Sequence, residues 1–175
     1  MIDRILGQAG GEKVGRGEMG ERLGGFIYGT IVVLATLIAG ARAYSHGIGH
    51  VALLVFLTTV VFWLAHVYAD SLADSIRRSQ RLSWHEVVEI ARRESSIIEA
   101  AVTPVLLLIL GKIGLFSENT AVWLAFAAGL VVLGAGGVAF ARTTRLGRIG
   151  TLLIVGLNVS IGLVLVGLKL FVGHH

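Results

Sequence analysis

Long, uninterrupted apolar runs constrain this chain more than any other feature of its sequence. Hydrophobic residues make up 55% of it and charged residues 15%, whereas a typical soluble domain has about 25% charged residues. A helix that crosses a bilayer needs ~20 mostly apolar residues, because each residue rises ~1.5 Å across a hydrocarbon core ~30 Å thick. The continuity of the apolar runs favours helices over membrane strands, in which apolar and polar residues alternate. We therefore predict an all-α, polytopic transmembrane bundle with five spans, at residues 25–43, 51–69, 97–115, 121–141 and 149–172.

Residues 1–24 differ in composition from the rest of the chain. They contain seven glycines and eight charged residues, too little apolar surface to offset the entropy cost of ordering. We predict a flexible cytoplasmic tail over residues 1–24 and a single five-helix transmembrane domain over residues 25–175. The first span is expected to act as the insertion signal. Cysteine is absent, which excludes disulfides and thiolate metal sites.

The distribution of Lys and Arg predicts the orientation. Twelve of the fifteen lie in the first 24 residues, between spans two and three, or between spans four and five. Only Arg42, Lys112 and Lys169 fall on the other side. Because basic loops stay in the cytoplasm, the N-terminus is predicted inside and the C-terminus outside. The high proportion of basic residues is thereby explained without a nucleic-acid partner.

Residues 84–96 are predicted to form an amphipathic cytoplasmic helix that leads into span three. Ser83 and Glu86 fit a capping box, in which each side chain accepts a hydrogen bond from a free backbone N–H at the helix start. Glu89 and Arg93 have the spacing of an i, i+4 ion pair. The outer surface of this helix is a candidate docking surface for a protein partner.

Small residues at intervals of four predict where helices pack closely, since close backbone approach drives helix association in lipid. Gly25 and Gly29 form such a pair in span one. Span four has a longer row, and span five has a central amide that can hydrogen bond across helices. The candidate packing residues are Gly25, Gly29, Ala125, Gly129, Gly137 and Asn158. Packing within one bundle and packing between subunits both remain open.

Four ionisable residues form the candidate functional site. His66, Asp70 and Asp74 share one face of span two, and Glu99 is expected at a similar depth in span three. Ionisable groups at membrane depth are costly and mark functional sites by default. The cluster predicts a proton or cation site, and His66, Asp70 and Asp74 would also suit a divalent metal. In the alternative interpretation, the aspartates pair with nearby arginines, and His66 bonds Glu99 to hold the hairpin together.

Three stretches resemble an uncharacterised family of small multi-span membrane proteins from actinobacteria. They are RLGGFIYGTIVVL at residues 22–34, FWLAHVYA at residues 62–69 and ARRESSIIEA at residues 91–100. The resemblance implies a bacterial inner-membrane location, and it implies no activity.

Three functions follow as hypotheses. The first is a small homo-oligomeric proton or cation channel or transporter that uses His66, Asp70, Glu99 and Asp74. The second is a non-catalytic accessory or scaffold subunit of a membrane complex. The third, a metal-dependent membrane enzyme, ranks last because no residue pattern marks a nucleophile. We predict no cofactor apart from the metal considered above. The expected partners are the lipid bilayer and either further copies of the chain or another membrane protein.

Overall fold

The computed structural model describes the backbone over residues 2–40, 47–144 and 146–173. Side chains are described from residue 19 onward within those ranges, apart from residues 168–170 and 172–173. All regular secondary structure in these residues is helical, in agreement with the all-α prediction. The helices are α1 (Ile2–Gly40), α2 (Ile48–Arg78), α3 (Trp84–Arg93), α4 (Ser96–Lys112), α5 (Glu118–Thr143) and α6 (Arg148–Gly173). Arg42, Arg145, His174 and His175 lie outside the described residues.

Several of these helices have the length and composition of membrane spans. In the described residues, four qualify alone: Met19–Gly40 of α1, together with α2, α5 and the Arg148–Gly167 part of α6. The helices α3 and α4 qualify as a pair, with a bend of 47° between them. The sequence predicts one helix running from residue 84 into span three, but the structure breaks it at Glu94 and Ser95. The N–H of Ser95 donates to the carbonyl of Arg92, in a turn that ends α3.

Many large apolar side chains lie on the outside of the bundle, which indicates a membrane location. Large side chains such as Val61 (62% exposed), Val131 (71%) and Leu152 (72%) point outward. Such wide apolar surfaces are rare on soluble monomers. Inside, the hydroxyls of Thr30 and Thr59 donate to the carbonyls four residues earlier, both at 2.8 Å. This local bonding satisfies polar groups where lipid offers no partner.

Glycines let α1 approach α4 closely. A Cβ at Gly29 would lie 2.6 Å from the carbonyl oxygen of Ile97, and one at Gly25 would collide with the Ser96 hydroxyl. Both glycines therefore pack against a helix of the same chain. At this contact the Ser96 hydroxyl is buried and has no hydrogen-bond partner among the described residues.

The small residues of α5 also face other helices of this chain. Ala125 and Gly129 are buried, and a Cβ at Gly129 would lie 2.7 Å from Leu34 of α1. Gly137 faces α6, where its added Cβ would lie 3.0 Å from the amide nitrogen of Asn158. The core joins residues of α1, α2, α4 and α5. The helix α6 packs on the outside of this core, against α5 and α1.

The helix α1 begins at Ile2 and includes almost the whole segment for which composition predicts flexibility. The division into a flexible tail and a membrane domain stays a prediction. Because α2 has 31 residues, it is about 46 Å long, well beyond a ~30 Å hydrocarbon core. At least one end of α2 must therefore extend past the hydrocarbon.

Candidate functional site at the charged end of the bundle

Most of the ionisable side chains that the structure describes gather at one end of the bundle, which we call the charged end. It comprises the C-terminal part of α2 from Asp70, the connection to α3 with Arg81, the whole of α3, the first turn of α4, residues Glu21 and Arg22 of α1, and the facing ends of α5 and α6 with Arg142 and Arg148. The charged end begins at the level where α1 meets its neighbours through two contacts: Tyr28 with His66 of α2, and Gly29 with Ile97 of α4. The four candidate residues His66, Asp70, Asp74 and Glu99 all lie at or near this end.

Arg93 is the centre of an ion-pair network. Its guanidinium lies 3.2 Å from Asp70 of α2, 3.4 Å from Glu21 of α1 and 3.4 Å from Glu94. Partial burial lowers the pKa of Arg93, but Glu21, Glu94 and Asp70 outweigh that effect and raise it above its ordinary value. The predicted pair with Glu89 is wrong: within the described residues, the ion-pair partners of Arg93 are Glu21, Asp70 and Glu94.

Arg22 and Glu99 form a second link, between α1 and α4. Nη2 of Arg22 lies 3.3 Å from both carboxylate oxygens of Glu99, and the hydroxyl of Ser95 donates to the same carboxylate at 2.8 Å. Glu21 and Arg22 are consecutive residues of α1. Glu21 contacts Arg93 before the bend between α3 and α4, and Arg22 contacts Glu99 after it. The bend is therefore held from both sides by one turn of α1.

His66 does not join this network. Its ring lies 4.8 Å from the ring of Tyr28, and its Nδ1 lies 3.3 Å from the carbonyl oxygen of Phe62 one turn earlier. The expected hydrogen bond between His66 and Glu99 is not formed, since the described contacts of Glu99 are to Arg22 and Ser95. The two residues share a depth range but face different neighbours.

Asp74 pairs with two arginines of its own helix, and one of them, Arg78, links that helix to α3. It pairs with Arg77 at 2.6 Å and with Arg78 at 3.3 Å, and Arg78 also pairs with Glu86 at 3.0 Å. The predicted capping box is confirmed: the Ser83 backbone N–H donates to Glu86 at 2.7 Å, and the Glu86 N–H donates to the Ser83 hydroxyl. The Ser83 N–H and hydroxyl, with a smaller contribution from Arg78, lower the pKa of Glu86.

Sequence reasoning missed Trp63. Its indole N–H donates to the backbone carbonyl of Ala91 at 3.1 Å, which anchors the end of α3 to α2. The available signal was an aromatic residue with one polar hydrogen in an otherwise apolar span. Such an N–H needs an acceptor when it leaves water.

The described residues contain no group of three or more His, Cys, Asp and Glu side chains placed to hold a metal ion. A divalent metal at His66, Asp70 and Asp74 stays a prediction from sequence. At the opposite end of the bundle, an open pocket of about 350 Å³ is lined in part by Ile48, His50, Lys112 and Glu118.

What the charged end can do chemically follows from these pairings. Asp70, Asp74 and Glu99 each have a guanidinium partner, so their charges are balanced and their oxygens are used in links between or within helices. Comparison of the chain with protein-family models, with curated proteins and with solved structures finds no match.

Proposed function

We propose that this chain is a five-span membrane protein that acts as a non-catalytic accessory or scaffold subunit of a membrane complex. Its N-terminus and charged end face the cytoplasm, its C-terminus lies outside, and the membrane is a bacterial inner membrane. The charge distribution along the sequence supports the orientation. The three stretches similar to actinobacterial membrane proteins support the location.

The geometry of α4 supports five spans over four. One end of α4 lies beside Gly25 of α1, through Ser96, and the other lies beside Ala121 of α5, through Gly111. With 17 residues, α4 is about 26 Å long. It therefore extends from the level of Gly25 in α1 to the level of Ala121 in α5, and together with α3 it meets the length and composition of a span.

One observation carries the accessory role: each carboxylate predicted to move a proton or cation pairs with an arginine, and two of the three pairings join different helices. Glu99 joins α4 to α1, and Asp70 joins α2 to α3. A carboxylate that carries ions along a pathway must be free to exchange partners, whereas each of these is paired with an arginine. The interior beyond them is filled by apolar side chains such as Phe126, Leu34 and Leu108.

Membrane orientation is tested first, and the cysteine-free chain suits the test. Gln80→Cys places one thiol between α2 and α3, and Asn119→Cys places one in the first turn of α5, both at exposed positions. A membrane-impermeant thiol reagent added to intact cells should label Asn119→Cys alone. After the cells are opened, it should label both. Labelling of Gln80→Cys in intact cells would reverse the orientation.

The role itself is tested by purification after crosslinking in native membranes. We expect another membrane protein in stoichiometric amount, and we expect its capture to survive His66→Ala combined with Glu99→Ala if the helical fold persists. In parallel, purified protein in liposomes should give no proton or cation flux above empty liposomes. Flux that disappears in the same double variant would replace this proposal with the transport hypothesis.

A further inference from the structure

The arginines of the charged end fall into two groups. Arg22, Arg77, Arg78 and Arg93 each pair with a carboxylate. Four others are exposed and, within the described part of the chain, have no carboxylate within the 4.0 Å that defines a salt bridge. These unpaired arginines are Arg81, Arg92, Arg142 and Arg148.

Helix positions make one of these cations unfavourable without an external anion. Arg148 is the first residue of α6, where the helix dipole places partial positive charge. A cation there is disfavoured by the helix itself. An anion from outside the described residues would balance both the guanidinium of Arg148 and the partial positive charge of the helix N-terminus.

The unpaired arginines belong to the region where the bundle leaves the hydrocarbon. A Cβ at Gly136 would lie 2.9 Å from Ile27, so the two residues share a depth. Arg142 is six residues further along α5, or about 9 Å toward the charged end. Arg92 adjoins Arg93, which contacts Asp70 at the same end. The headgroup layers extend the bilayer beyond its hydrocarbon core of ~30 Å, to a total thickness of ~40–45 Å. The arginine side chains end in one of these headgroup layers.

Exposed apolar side chains accompany these charges. Trp84, the first residue of α3, is 80% exposed, and Ile76 in the last turn of α2 is 70% exposed. Tryptophan is enriched at the headgroup level of membranes, where its ring is partly desolvated and its N–H stays hydrated. An exposed aromatic residue at the same end as unpaired cations fits an interface that is both apolar and anionic.

We propose that Arg81, Arg92, Arg142 and Arg148 bind anionic phospholipid headgroups around the charged end, with Trp84 at the same headgroup level. The guanidinium groups donate hydrogen bonds to lipid phosphates, the anions that their planar geometry suits best. This inference requires only that the bundle crosses a bilayer. It is independent of the accessory role, and either proposal can fail while the other stands.

The test uses the full chain in phosphatidylcholine vesicles and spin-labelled lipids, comparing labelled phosphatidylglycerol with labelled phosphatidylcholine. We expect the protein to bind phosphatidylglycerol preferentially, with a preference of up to about fivefold for each arginine that contacts a headgroup. The preference should fall with added salt. It should largely disappear when the four arginines are changed to glutamine, and replacement by lysine should retain most of it.

Matched controls separate the effect of these arginines from general basicity. Arg77→Gln changes an exposed arginine at the same end whose charge Asp74 already balances, so it should lower the preference less than Arg81→Gln. Glu89→Gln removes an exposed acid of α3 and should raise the preference. Equal effects of Arg77→Gln and Arg81→Gln, or a wild-type protein without preference, would overturn the proposal. So would capture of a soluble protein through these arginines when vesicles show no preference.

Discussion

Arg22 of α1 and Glu99 of α4 meet across a helix interface, with Nη2 of the arginine 3.3 Å from both carboxylate oxygens. Their side chains are 59% and 48% exposed, so solvent weakens the attraction. We expect Arg22→Gln to lower the free energy of unfolding by no more than about 1 kcal/mol. The measurement is the loss of helical circular dichroism during denaturation in detergent. The exchange of both residues, Arg22→Glu with Glu99→Arg, should recover part of the loss, and no recovery would mean that the pair contributes nothing.

Close packing of α1 on α4 should tolerate no added side chain at Gly29. An alanine Cβ would lie 2.6 Å from the backbone oxygen of Ile97, which cannot move without shifting α4. We expect Gly29→Ala to destabilise the bundle by about 1–3 kcal/mol, the usual cost of overpacking. Gly24→Ala is the control, because a Cβ there has no atom within 4 Å. Equal stability of the two variants would contradict the close approach of these helices.

Trp63 should hold α3 through one hydrogen bond. Trp63→Phe keeps the ring but removes the N–H that donates to Ala91, at an expected cost of about 0.5–1.5 kcal/mol. Hydrogen exchange should quicken in the amides of α3 and stay slow in α5. Trp84→Phe is the matched control, because Trp84 is 80% exposed and has no described hydrogen bond. A change spread evenly over all helices would argue against a local anchor.

The start of α3 should depend on pH through Glu86. Because the Ser83 N–H and hydroxyl lower the pKa of Glu86 in the folded chain, the stabilisation is present above the ordinary value of 4.5. It is lost as the pH falls through the lower, folded value. An NMR titration of the Glu86 carboxyl should give a midpoint below 4.5. In Ser83→Ala the midpoint should rise, and the first turn of α3 should fray at a higher pH. A wild-type midpoint at or above 4.5 would refute this.

The features that sequence predicts well here are set by neighbouring residues. Ser83 and Glu86 form their capping box because both partners lie within one turn, and no distant residue has to be placed. Gly25 and Gly29 likewise share a face because helical geometry fixes their spacing. The helix to which that face turns is a matter of tertiary structure, and periodicity alone does not identify it.

Predictions were less successful where residues distant in sequence decide the contact. Glu89 has the right spacing for Arg93, but carboxylates on α1 and α2 compete for the same guanidinium and lie closer. His66 and Glu99 were matched by depth, yet depth leaves the rotation of each helix about its axis undetermined. The break between α3 and α4 also depends on contacts that α1 supplies from elsewhere in the chain.

The peripheral position of α6 has a consequence for assembly. Among the side chains that the structure describes, the buried members of the central core come from α1, α2, α4 and α5, and α6 adds partly buried ones, Leu165 and Val166. During synthesis the first four of these helices can therefore fold together before α6 leaves the ribosome. Its later arrival closes one side of a preformed unit. A chain that ends at Leu146 should still insert and keep α1 beside α4, which a crosslink between cysteines replacing Arg22 and Glu99 would detect.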